Sequence, residues 1–200
     1  MKSHLIVLVL LLSSIIPMSA QTRLGTVPWD VHYSALDSLL FGDGYIDDET
    51  VITMNPWTDS VLCLKCIFGL DPKNSELRYL VYNRKSRDIT TYRCQSPDEI
   101  IVEVSLELSR LINNAVYSSA PGNYGIGIDT PRIYFYSWEH SAMCNWHPKQ
   151  DGDNCDRLVR LIAKVEKAVQ ENDLESIEKL RPEIRSLTEV FEELRAAVKD

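Results

Sequence analysis

Glu139, His140, Cys144, His147 and Cys155 are the residues whose types and spacing come nearest to chemistry in this chain. Histidine nitrogens and cysteine thiolates bind zinc, and a cysteine beside a histidine is the minimal nucleophile and base of a thiol hydrolase. The order His140-x3-Cys144-x2-His147-x7-Cys155 can be laid around either role on paper. It matches no closed structural zinc pattern, and two members of a catalytic set three apart in a loop meet only by accident. In an oxidising compartment such cysteines pair with each other before they hold a metal, so a disulfide between Cys144 and Cys155 is the expected arrangement. Closing that short loop is worth about 3 kcal/mol on loop-entropy grounds. No metal and no cofactor is expected. A metal- or thiol-dependent hydrolase centred on the 139–155 loop, with Glu139, His140, Cys144 and His147 as its catalytic residues, is the alternative.

The second chemical resource is aromatic. From Pro131 the chain reads as a strand in which Ile133 and Phe135 point one way and Tyr134, Tyr136 and Trp138 the other. Both faces are apolar or amphipathic. Such a strand is either a central one packed on both sides or an aromatic platform, with Tyr134, Tyr136, Trp138 and Trp146 as ligand-binding residues.

Other strands must hold this one. Residues 61–68 place Leu62, Leu64, Cys66 and Phe68 on one face and Val61, Cys63, Lys65 and Ile67 on the other, so Cys63 and Cys66 are not a redox motif at a helix start. Residues 77–83 and 88–94 read as an antiparallel hairpin turning at Arg84-Lys85-Ser86-Arg87, and Arg78 and Arg93 complete its basic character. Solvated charges that block edge pairing explain that patch, with an anionic glycan or acidic partner as the alternative.

Helices follow from period and caps. Ser96-Pro97-Asp98-Glu99 is a capping-box start, and Ile100, Val104, Leu108, Leu111, Ile112 and Ala115 form the stripe behind it, to an end near Ser118. Asp151, Asp153 and Asp156 mark a turn and the acidic start of a second helix striped by Leu158, Ile162, Val165 and Val169. After a turn at Asn172-Asp173, Ile177, Leu180, Ile184, Leu187, Phe191, Leu194 and Val198 recur as a heptad seam, with a kink or restart expected at Pro182. Nearer the start, residues 30–41 have helical spacing. Gly42 to Glu49 looks like the second half of an EF-hand loop, but in that register Leu39, Phe41 and Thr50 occupy ligand positions, leaving too few oxygens for calcium.

Met1 to Ala20 has the order of a secretory signal peptide: Lys2, an apolar run from Leu5 to Leu12, then small residues before Gln21. Export to a secreted or periplasmic location is expected, with no membrane span. The 200-residue chain carries a net charge of −8, and losing Lys2 makes it more acidic, which argues against nucleic acid as a partner. The five cysteines are an odd number, so at least one thiol stays outside any intrachain disulfide.

The expected fold is α+β, a small antiparallel sheet covered by a long helix, with a C-terminal helical hairpin. Residues 1–20 are the signal peptide, 21–152 the α+β domain, and 153–200 the hairpin packed on it. The expected function is that of an exported, non-enzymatic binding or interaction protein with a protein or glycan partner. Besides the hydrolase, a structural subunit that forms a homo-oligomer through 174–199 is the other alternative.

Overall fold

The computed structural model describes residues 24–26, 49–68, 75–95, 100–121, 130–137, 140–146 and 153–198. The signal-peptide segment, the 30–41 helix, the Gly-rich acidic turn and the Ser96 cap lie outside these residues, as do Trp138, Glu139, His147 and Asp151. The strands are β1 (Gly25–Thr26), β2 (Thr50–Met54), β3 (Ser60–Ile67), β4 (Glu76–Asn83), β5 (Ile89–Cys94), β6 (Ala120–Pro121), β7 (Arg132–Ser137) and β8 (His140–Asn145). They form one sheet in the order β5-β4-β3-β2-β7-β8-β1-β6, antiparallel except for the short β1–β6 pair. The helices are α1 (Ile100–Tyr117), α2 (Asn154–Glu171) and α3 (Leu174–Val198). This is the expected α+β architecture, and no helix among the described residues is long and apolar enough to cross a membrane.

Alternation along the strands sorts the sheet into two buried faces. Val51, Leu64, Cys66, Leu77, Ile133, Phe135 and Cys144 lie in one cluster with the apolar stripes of all three helices. Ile52, Val61, Cys63, Leu80, Tyr134, Tyr136 and Met143 form a second cluster to which none of these helices contributes. Strand β7, between β2 and β8, is therefore a central strand packed on both faces. The segment between Trp138 and Cys155 is not simply a loop, because His140–Asn145 pairs with β7 from Ser137↔His140 to Arg132↔Asn145. Its residues Ala142 and Cys144 meet the same helix-covered face as Phe135 and Ile133, and that burial outweighs the weak strand propensity of the sequence HSAMCN.

Helices α1 and α2 lie on the sheet, and α3 packs across both. Asp153 caps α2, its side chain accepting from the Asp156 N–H at 2.6 Å. The helix ends at Asn172, held left-handed at φ 53°, with the Asn172 and Asp173 N–H groups returning to Val169 and Ala168 carbonyls. Asp173 then accepts from the Ser176 N–H at 3.0 Å, so one residue turns the chain and the next starts α3.

The heptad seam of α3 faces inward: Ile177, Ile184, Leu187 and Phe191 are all in the main core, whereas Leu194 and Val198 are exposed. Arg181 pairs with Glu103 and Glu107, and Arg185 also reaches Glu107, fastening α3 to α1. Helix α3 does not restart at Pro182 but runs unbroken through it. Pro182 and Glu178, whose carbonyl loses its helical donor there, both face solvent, where water can replace the bond.

Two substitutions check this account by urea denaturation. Asn172→Val is expected to cost about 1–2 kcal/mol, because a β-branched residue resists the left-handed conformation, whereas Asn172→Gly should be nearly neutral. Tyr134→Ala is expected to cost about 3–5 kcal/mol, the usual loss for truncating a fully enclosed aromatic ring.

Candidate functional site

Of the residues with metal-binding or nucleophilic side chains, His140 and Cys144 stand apart, and Glu139 and His147 lie outside the described residues. His140 opens β8 at the surface, its ring edge-on to Tyr117 at 4.4 Å, and Arg195 stacks over the same Tyr117 ring at 4.5 Å. Cys144 is enclosed four residues further along the strand, about 13 Å away at strand rise. His140 and Cys144 are therefore not a nucleophile and base. Among the described residues no group of histidine, cysteine and carboxylate side chains is placed to hold a metal.

Cys144 and Cys155 do meet, β8 against the first turn of α2, but as thiols joined by a hydrogen bond and not as the expected disulfide; all five cysteines are free and buried. The pair sits between sheet and helix, where each thiol packs as a small apolar group and the two satisfy one another. The hydrogen bond to Cys144, together with burial, pushes the Cys155 thiol far up, and burial followed by Asp173 pushes Cys94 up to about 11. Protonated thiols are poor nucleophiles.

The aromatic candidates separate in the same way. Tyr134 and Tyr136 stack at 6.3 Å and are buried in the second cluster, closed to any ligand. Trp146, just past β8, is only partly buried, and its indole N–H donates to Asp156 Oδ1 at 2.9 Å. Asp156 also accepts from Arg160 at 2.6 Å; burial alone would raise this carboxyl, but the Arg160 and Trp146 bonds outweigh it and hold it below the usual range.

Trp146 borders a feature with the shape of a site. A groove of about 340 Å³ runs between α2 and the ends of β2, β3 and β7. The register builds its floor: Leu62, Thr53 and Ile133 lie side by side across β3, β2 and β7. Val159, Ile162, Ala163 and Glu166 of α2 form the wall, and Asn55, Thr58 and Ser60 bring polar groups to the β2–β3 turn. Arg84, one of the basic hairpin residues, braces that turn by donating to the Thr58 carbonyl at 2.8 Å and the Asn55 carbonyl at 3.3 Å. Arg78 is likewise engaged, with Glu76.

Glu166 gives the groove its electrostatic character. It is 8% exposed, and its Oε1 is fully enclosed with no hydrogen-bond partner among the described residues. Burial raises the carboxyl to about 8. The sequence carries a signal for it: Glu166 follows Ile162 by four residues and precedes Val169 by three, so a carboxyl stands on the apolar stripe of α2. The floor residues had no such signal, because Thr53, Leu62 and Ile133 come together only through strand pairing.

Compared with protein-family models, curated proteins and solved structures, the chain finds no match.

Glu166 predicts a pH dependence of stability. Its folded pKa of about 8 lies above the ordinary 4.5, so the folded state keeps a proton that the unfolded chain loses across that window. Stability should therefore fall as pH rises from about 4.5 to 8. Relative to wild type, Glu166→Gln should gain a few kcal/mol, to order of magnitude, above about pH 8 and nothing near pH 4, read from denaturation midpoints across pH.

Proposed function

We propose that this chain is an exported, non-enzymatic binding protein whose groove between the sheet and α2 takes the apolar part of a small molecule. The observation that carries the reading is the groove itself, floored by Leu62, Thr53 and Ile133 and walled by Val159, Ile162 and Ala163. Its volume of about 340 Å³ falls in the range of small-molecule sites, which are concave, mostly apolar and furnished with a few placed polar groups. Asp156 and Arg160 hold Trp146 at the rim, so this aromatic wall is in place before a ligand arrives. The lining favours a small apolar molecule over a glycan, which would need a dense set of hydrogen-bonding side chains.

A binding role also suits the thiols. Cys144 and Cys155 face each other inside the core and hold no thiolate ready for attack. Export rests on the Met1–Ala20 sequence. The α3 seam supports a hairpin that completes the domain, since the apolar residues from Ile177 to Phe191 face the core.

Titration calorimetry with n-octanol tests the reading. Saturable binding by the wild-type protein is expected, and Ala163→Trp, which fills the groove from its exposed wall, should remove it without lowering the melting temperature. No binding by the wild type, or unchanged binding by a folded Ala163→Trp variant, would overturn the groove as the site.

A further inference from the structure

We propose that the groove selects an apolar molecule bearing a primary or secondary amine, with the Glu166 carboxyl turning into the groove to accept a hydrogen bond from its ammonium N–H. The inference rests on the groove being a binding site. Glu166 lines the groove beside Ile162 and Ala163, yet its Oε1 has no partner among the described residues. Buried carboxylate oxygens are ordinarily hydrogen-bonded, so an orphan acceptor on a residue that lines a groove marks where a ligand completes the set once the side chain turns.

The surroundings decide which chemistry completes it. Among the described residues no other one lining the groove is charged. The group facing Glu166 from β4 is the phenol of Tyr79, stacked at 5.8 Å on Tyr92 of β5, and neither is a cation. The basic residues of α2 and α3 near this stretch are paired with other acids: Arg160 with Asp156, Lys164 with Glu183, Lys167 with Glu171 and Lys179 with Glu175. Burial alone shifts the Glu166 carboxyl, with no cation opposing it. Among the described residues the fold thus provides an enclosed carboxyl without a counter-ion. An alcohol would satisfy one hydrogen bond and leave Glu166 protonated. An ammonium would let it ionise and would add a charge-assisted bond, roughly twice as strong as a neutral one.

Free Glu166 is mainly the neutral acid at neutral pH. An arriving ammonium keeps its own proton, and the carboxyl proton passes to solvent, leaving a carboxylate paired with the cation and one hydronium released. Affinity for the amine should therefore rise as pH climbs through about 8, and level off until the amine itself deprotonates.

The test compares n-octylamine with n-octanol on the full chain by calorimetry at about pH 6 and 8. At the higher pH the wild type should bind the amine at least about tenfold more tightly than the alcohol, with the gap narrowing at the lower pH. The apparent enthalpy at about pH 7, measured in two buffers of different ionisation heat, should report proton release on binding the amine and none for the alcohol. In Glu166→Gln the preference should vanish while octanol binding persists. Should that variant fail to fold, the buffer comparison on the wild type decides alone. Equal affinity for amine and alcohol at the higher pH, or amine binding without proton release, overturns the amine inference and leaves the groove standing. Failure of octanol to bind the wild type overturns the groove reading itself.

Discussion

Covering one face of an eight-stranded sheet is the constraint from which the other features of this protein follow. Strands spaced about 4.8 Å apart present a face far wider than two helices of roughly 10 Å can cover side by side. Helix α1 lies over β3, β4, β7 and β8, and α2 must serve the remainder. It starts against β8, where Cys155 meets Cys144 and Asp156 meets Trp146, and it finishes over β4 and β5. A straight helix crossing a twisted sheet diagonally cannot touch every strand beneath it. The groove above Leu62, Thr53 and Ile133 is the space left between them.

That space explains why a carboxyl survives on the buried face of α2. A glutamate pressed directly against the sheet would lose its water with nothing in return, a cost of several kcal/mol for an ion. Glu166 instead borders the groove and, at neutral pH, keeps its proton and its neutrality. The fold bears a local stability cost at this position, and departures of this kind from apolar patterning concentrate where binding or chemistry is placed. The charges between helices follow the opposite rule: Glu107 receives Arg181 and Arg185, whose hydrogen bonds outweigh the upward push of burial and hold its carboxyl below the ordinary range. One carboxyl thus fastens two helices, while the other has no counter-ion among the described residues.

Much of the architecture was legible in the residues. The period-two pattern of 61–68 and 132–137 separates Leu64 and Phe135 from Val61 and Tyr134 as the two faces require. The stripe of α1, the Asp153 cap and the Asn172-Asp173 turn were equally readable, because each depends on neighbours within a few residues. Strand β8 was not readable. Its sequence HSAMCN has little strand propensity of its own, and its conformation comes from pairing with β7 and burying Ala142 and Cys144. The cysteine pairing was half legible: the spacing brought Cys144 and Cys155 together correctly, whereas the structure joins them as thiols.

By itself, then, the sequence determined the helices, the alternating strands, the α+β class and the inward seam of α3, since periodicity states which side chains share a face. Tertiary structure alone decided that Tyr134 and Tyr136 are core, that His140 stands apart from Cys144, and that Glu166 overlooks a groove. The physical reason is that a face is a local property of one element, whereas a groove belongs to the crossing of several. Thr53, Leu62, Ile133 and Glu166 span more than a hundred residues of chain, and only strand register and the diagonal path of α2 make them neighbours.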